Sequence, residues 1–590
     1  MTEATRPDQA SIRATTEAAA RLLDRIAQLL ALKGESPYRV RAYAEAAANL
    51  RASSDDLLSL WRAGRLRTIP GVGQTIAGRL DEFFRTGQSR YLAELEASLP
   101  DGIEQLLRVT GIGPTRARLL AERLNLKSPE ELAEAARDHR LQGLPGFGPR
   151  LEARLLAEAL RWAQHDHRLL LGIAWPAADE LLGELRSVAV LGQSSVAGSL
   201  RRMVETIGDL DLLGAAADPE LATTQFANLP AAASVLAQGP TKASILLDNG
   251  LQADLRVVEP RHWGAALQYF TGSKRHNIAL RDLALARGLR LNEYGLFDQA
   301  TGRRIASETE ADVYEALDLA WIPPELREDR GEIQAAENGQ LPALIELADL
   351  QGDLHCHTNW TDGTASLEAM ADAARDFGLT YLAITDHSEG LSIAHGLTPE
   401  QFREQRRLVV DLNCRLAPFR ILHGAEVDIR PDGLLDLPDD LLAELDFVGV
   451  SIHTRFRMAR DEMTARIMRA IRHPLVNVLN HPTGRRINVR PGYEVDLDAV
   501  LRLAARLDVA VEINSQIDRL DLNDEWARRA RDLGCRLAID SDAHSPDGFA
   551  NLRYGVAVAR RGWVESKDAL NTLPLPHLLA ALRRKRRRVA

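Results

Sequence analysis

Gly198-Ser-Leu-Arg-Arg-Met-Val-Glu-Thr-Ile-Gly-Asp-Leu-Asp211 sets a small Gly-Ser turn before an Arg pair and then places two acids at alternate positions. The flanking runs Ser187-Val-Ala-Val-Leu-Gly192 and Asp209-Leu-Asp-Leu-Leu213 are aliphatic with few breakers and read as strands. On a strand, a period of two sends Asp209 and Asp211 to one face. Two carboxylates side by side repel unless cations sit between them, which suits a pair of magnesium ions. The turn at Gly198 and Ser199 would offer backbone N–H groups to phosphate, and Arg201 and Arg202 would neutralise charge there. The implied chemistry is two-metal transfer of a nucleotidyl group.

A third acid joins them. Gln252-Ala-Asp-Leu-Arg-Val-Val258 reads as a strand that could bring Asp254 beside Asp209 and Asp211. An isolated Asp-x-Asp is more often an acidic strand end facing solvent. The Gly-Ser turn and the Arg pair at fixed spacing outweigh that bland alternative.

With Tyr269-Phe-Thr-Gly-Ser-Lys-Arg-His-Asn277, Arg281 and Leu291-Asn-Glu-Tyr-Gly-Leu-Phe297, the chain resembles the family X DNA polymerases in their longer bacterial form. The resemblance covers nearly the whole chain. It implies that Gly198, Ser199 and Arg202 hold the triphosphate, and that Asp209 and Asp211 bind both catalytic Mg2+ or Mn2+ ions. Asp254 would lie on the side that activates the primer 3′-hydroxyl. Tyr269, Phe270 and Gly272 would flank the incoming sugar, Asn277 the base edge and Arg281 the template. Two positions depart from some relatives: Gln252 stands where they carry Arg, and Lys274 where others carry an acid.

The second half holds a different set of donors. From Asp353-Leu-His-Cys-His357 onward, His and acidic residues follow short apolar runs: Asp386-His387, Glu426, His453, His481 and Asp540-Ser-Asp-Ala-His544. Helical stretches separate these runs, so the organisation is β/α, and donors far apart in sequence would converge at the carboxyl ends of barrel strands. Imidazoles mixed with carboxylates suit zinc, manganese or iron better than magnesium alone. This region resembles the polymerase and histidinol phosphatase (PHP) domain. Position by position, the resemblance implies a site for three Mn2+, Zn2+ or Fe2+ ions at His355, His357, Asp362, His387, Glu426, His453, His481, Asp542 and His544. All nine positions hold a competent ligand. Metals so held lower the pKa of a bound water for attack on a phosphate ester. The expected activity is a manganese-stimulated 3′–5′ exonuclease, with cleavage at abasic sites left open. His395 and His423 match no ligand position and read as structural or as supports behind the ligands.

Three similar segments precede both halves: Ile69-Pro-Gly-Val-Gly73, Val109-Thr-Gly-Ile-Gly113 and Leu144-Pro-Gly-Phe-Gly148, each followed by an amphipathic helix. Gly71 and Gly73, Gly111 and Gly113, and Gly146 and Gly148 would let the backbone approach a DNA phosphate at a helix start. This is the helix-hairpin-helix pattern, which reads the DNA backbone without regard to sequence. The first copy resembles the family's small lyase domain, together with Pro37-Tyr-Arg-Val-Arg-Ala-Tyr43. Where lyase-active relatives use a Schiff-base lysine, this chain has Arg79, and another relative's lysine falls at Thr75. Guanidinium is a poor amine nucleophile. Weak or absent lyase activity is therefore expected, with 5′-phosphate binding left to Arg39, Arg41 and Arg79.

The net charge of −10 hides an uneven distribution. Residues 1–150 carry 22 basic against 19 acidic side chains, so the DNA-facing part is not acidic. Three cysteines without a metal-binding pair suit a reducing cytoplasm. No apolar run is long enough to span a membrane, and the start lacks a leader pattern. A cytoplasmic, nucleoid-associated monomer is expected, acting on gapped or nicked DNA and dNTPs in repair, including base excision repair.

The expected fold is multidomain. It comprises a lyase-like helical domain (1–90), helix-hairpin-helix fingers (91–165), an α+β nucleotidyltransferase palm (166–258) and a thumb (259–320). A linker (321–349), a distorted (β/α) PHP barrel (350–575) and a basic tail (576–590) follow. The alternatives are a small-phosphate phosphoesterase that uses the polymerase half only to dock on DNA, and a scaffold without catalysis.

Overall fold

The computed structural model describes residues 9–589 apart from 53–56, 87–88, 99–102, 104–105, 107–108, 110, 165–167, 189–190, 248–249 and 392–393. The residues read for a leader, 1–6, thus lie outside the described part. The chain forms two units, Met1–His167 and Arg168–Ala590.

The first unit is helical. In its long helix Gln9–Lys33, Leu22, Leu23, Ile26, Leu29 and Leu30 recur at helical spacing and are buried. One apolar core joins them to Leu80, Leu120 and Leu155. The helices Gln74–Thr86, Pro114–Leu124 and Pro149–Gln164 each follow one Gly-x-Gly turn. Gly71, Gly111 and Gly146 all adopt positive φ, the left-handed region that a side chain would strain.

The second unit contains two sheets that matter for function. The palm sheet has the order Gln193–Val196, Asp209–Ala215, Gln252–Val258, Lys242–Leu247, Ala232–Gln238. Its strand Gln252–Val258 alternates, with Ala253, Leu255 and Val257 buried and Gln252, Asp254 and Arg256 on the other face. Of the strand expected at 187–192, residues 189–190 lie outside the described part, and among the described residues no strand forms there. Leu181, Leu182 and Leu185 are buried at helical spacing, so the helix Leu171–Val188 runs through Ser187, and pairing begins at Gln193. The thumb follows, with helices Trp263–Thr271 and Lys274–Ala286, a three-stranded antiparallel sheet, and helix Glu310–Glu315.

Residues 321–349 join the halves as packed chain. Arg327 and Glu332 are fully buried. Arg327 pairs with Glu310, and Glu332 accepts from buried His276, whose other ring nitrogen meets the Tyr314 hydroxyl. Charged residues of the segment expected as a linker thus take part in a buried network.

Seven parallel strands in sequence order form the barrel: Gly352–Asp353, Tyr381–Ile384, Arg420–Asp428, Phe447–Ser451, Val478–Leu479, Ala510–Asn514 and Leu537–Asp540. A parallel bridge between Cys356 and Ala543 brings the first strand back towards the last. Parity sorts the side chains. Leu382, Ile384, Val448 and Ile539 pack with the surrounding helices. Tyr381, Ala383, Phe447, Val478 and Ala510 fill the interior, joined by Leu578 and Leu582 of the last helix, Leu575–Val589. The expected basic tail is therefore helical, and its first half closes the barrel core.

Candidate active sites

In the palm, Asp209 and Asp211 share a face, as period two requires, and Asp211 stands directly opposite Asp254 on the parallel neighbour. Gly198 adopts φ +57°, and a Cβ there would lie 1.9 Å from Asp211 Oδ2, so only glycine lets the turn approach this carboxylate. Burial, Asp209 and Asp254 together push the Asp211 carboxyl up to about 7. Asp254 has different company. Lys242 Nζ lies 2.6 Å from its Oδ2, and Gln252 donates to its Oδ1 at 2.8 Å. The departure at Gln252 thus places a neutral donor on the third acid, and Lys242 is a contact that sequence reasoning missed.

The Arg pair divides. Arg201 is committed to structure: it pairs with both oxygens of Glu310 at 2.8 and 2.7 Å. Arg202 lies by Gly272, bonded to Glu328 at 3.0 Å and the Thr271 carbonyl at 2.5 Å. Tyr269 and Phe270 stand edge to face, and Arg256, on the Asp254 face of its strand, lies over Phe270. Asn277 is oriented by Gln268 and the Tyr269 carbonyl, while Arg281 is exposed. Ser199 follows Gly198 in the short turn of helix Gly198–Arg201.

In the barrel, donor atoms meet within 4.8 Å in three groups: His357, Asp362, His387 and His544; His355, His357 and Asp542; and His387, Glu426 and His453. Glu426 links them further, 3.3 Å from His355 Nε2, 3.0 Å from His387 Nδ1, and 2.8 Å from His481 Nε2. All nine expected ligands are thereby brought together. Among the described residues, the buried Nδ1 atoms of His357 and His481 have no hydrogen-bond partner, and this chemistry fits divalent cations. Burial resists charge on Glu426, but the surrounding imidazoles of His355, His387 and His453 outweigh it and hold the carboxyl well below the ordinary range. Asp542 behaves alike beside His355, His357 and His544. His453 and His544 rise to about 9 against burial, drawn by Glu426 and Asp428 and by Asp362 and Asp542 respectively.

Several supporting residues were missed. Glu512 accepts from His355 Nδ1 at 2.6 Å and fixes its ring, the carboxylate–histidine arrangement of metal sites. Asn514 donates to Asp542, and Asp428 lies 3.4 Å from His453. Glu512 and Asn514 share the inward parity of Ala510, a signal available in the sequence. His423 has the outward parity and bonds Gln405 of a surrounding helix, in agreement with its structural reading.

In the first unit, Gly73, Gly113 and Gly148 face open space, where a Cβ would meet nothing within 4 Å. Arg79 stacks on Tyr91 at 3.6 Å, and Arg39 donates to the Tyr91 hydroxyl.

Residues 15–89 match the helix-hairpin-helix domain, 103–161 the SAM-like helix-hairpin-helix tandem, 266–328 the DNA polymerase beta thumb and 353–516 the PHP domain. The DNA polymerase/3′-5′ exonuclease PolX of Bacillus subtilis (strain 168) is 37% identical over 566 residues, 96% of this chain and 98% of the relative. The chain belongs to the bacterial family X DNA polymerases with a carboxy-terminal PHP domain. This family X chain is also similar to a probable phosphatase of Thermoanaerobacter sp. over 232 residues (26% identical, 37% of this chain, 90% of the relative). A probable phosphatase of Aliivibrio fischeri is 29% identical over 33% of this chain and 78% of its own length. Among the described residues, no helix is long and apolar enough to cross a membrane.

Proposed function

We infer that this chain is a DNA-directed DNA polymerase that fills short gaps and a 3′–5′ exonuclease that trims the same ends. The observation that carries the synthetic half is the register of Asp254 against Asp211, with the Gly198 turn packed on the Asp211 carboxylate. Asp209, Asp211 and Asp254 would hold Mg2+ or Mn2+, which would neutralise charge as the primer 3′-hydroxyl attacks the α-phosphate. Asp254 orients the primer side. Ser199 and Arg202 bind the triphosphate, whose release as pyrophosphate needs the positive charge of Arg202. Tyr269, Phe270 and Gly272 contact the sugar, Asn277 the base edge and Arg281 the template. The three Gly-x-Gly turns hold DNA phosphates through backbone N–H groups.

In the barrel, His355, His357, Asp362, His387, Glu426, His453, His481, Asp542 and His544 would hold three ions of Mn2+, Zn2+ or Fe2+, which would supply an activated water for phosphodiester hydrolysis. Glu512 and Asn514 keep His355 and Asp542 in place while DNA enters.

Incubation of the protein with end-labelled gapped DNA, manganese and four nucleotides tests both halves. Extension to the gap edge supports synthesis, and shortening without nucleotides supports the nuclease. The chain's likeness to probable phosphatases over about a third of its length supports a second reading, hydrolysis of small phosphate esters in the barrel. Turnover of p-nitrophenyl phosphate without any change in primer length would favour it.

A further inference from the structure

The turn that carries Arg202 is held from the barrel as well as from the thumb. Arg561 ends the barrel helix Leu552–Arg561, and its side chain is 8% exposed. Its Nη1 donates to the Arg202 carbonyl at 2.8 Å and to Glu328 Oε1 at 3.0 Å. That same Glu328 oxygen accepts from Arg202 Nε at 3.0 Å. Nη2 of Arg561 is anchored at 3.0 Å on Asp524 Oδ2, which also accepts from Arg330 at 2.9 Å. Each of these partners is thus fixed by another.

We propose that Arg561, a residue of the nuclease barrel, is a positioning residue for nucleotide binding in the palm. It pins the Arg202 backbone and shares the Glu328 charge, which leaves the Arg202 guanidinium able to meet a triphosphate. The physical reason is competition. A carboxylate bridging two guanidiniums pulls on each less than it would on one. Without Arg561, the whole Glu328 charge falls on Arg202 in a half-buried site, and the incoming phosphate must displace it. Glu328 already lies below the ordinary carboxyl range because Arg561 and Arg202 outweigh its burial. The inference rests on the reading of Arg202 as a triphosphate ligand.

Steady-state gap filling by the full chain tests it, with exonuclease rate and melting temperature measured on the same preparations. R561Q is expected to raise the KM for dNTP about five-fold with kcat within about two-fold, because a ground-state contact is weakened. Exonuclease rate should stay unchanged. R561K, which keeps the charge, should restore most of the affinity. E328Q added to R561Q should also lower KM again, which no general loosening of the domain junction would do. An unchanged KM in folded R561Q overturns the inference, as does a parallel loss of both activities and of melting temperature in R561Q and R561K alike. R202A separates the two readings: a raised KM there with an unaffected R561Q leaves Arg202 as ligand and removes only Arg561. An unchanged KM in R202A overturns both.

Discussion

The palm and the barrel solve the problem of crowded acids in opposite ways. In the palm, Asp209, Asp211 and Asp254 face one another across two adjacent strands, and their mutual repulsion adds to burial in raising Asp211 to about 7. In the barrel, buried acids alternate with imidazoles from across the fold, and the net effect on Glu426 and Asp542 is a lowering. The palm leaves repulsion between neighbouring acids standing. The barrel sets acids against imidazoles, with most of its donors buried.

The largest test breaks that comparison by halves. D209A with D211A is expected to reduce synthesis at least about 1,000-fold while exonuclease persists, and H355A with H357A to do the reverse. Primer length on gapped DNA reads both, and loss of both activities with either pair would sink the idea of two independent centres.

Metal retention sharpens it. After passage through a metal-free column, elemental analysis should find about three ions per chain in the unaltered protein and in D209A, because the many, mostly buried donors of the barrel release slowly. H355A with H357A should lose them. Retention by that variant would place the tightly held ions elsewhere.

The buried Glu310 network gives a smaller, pH-dependent effect. Burial would raise the Glu310 carboxyl, but bonds from Arg201 and Arg327 hold it at about 2, against an unfolded value of 4.5. Its stabilisation is therefore complete above about 4.5 and fades as pH falls through about 2. E310Q is expected to cost about 3 kcal/mol at neutral pH, since it leaves two buried guanidiniums short of a counter-charge. Urea titrations should show that this difference shrinks on acidification, and a constant difference would mean that ionisation is not its source.

The smallest effect concerns the first unit. Borohydride trapping with 5′-deoxyribose phosphate DNA should give little or no adduct at Arg79, whose guanidinium is stacked on Tyr91. A strong adduct would point to an amine elsewhere in the unit.

Much of the candidate chemistry was legible in the sequence because it follows local rules. Period two predicted one face for Asp209 and Asp211, and donors placed after apolar runs predicted convergence at strand ends. The same rules failed at Ser187-Val188, where alternating small and aliphatic residues fit a strand as well as the helix that forms. Glu512 was readable by its inward parity but follows no motif.

The sequence by itself determined which residues could bear the chemistry: the three palm acids, the nine barrel donors and the three Gly-x-Gly turns. Only the tertiary structure decided how each charge is answered. It assigned Arg201 to Glu310 but left Arg202 beside Gly272, set Lys242 on Asp254, buried Arg327 and Glu332 in the segment between the halves, and joined Arg561 to Arg202. The physical reason is that each of these contacts joins different elements. Periodicity reports which face a residue takes within its own element, whereas a contact between elements depends on how those elements pack.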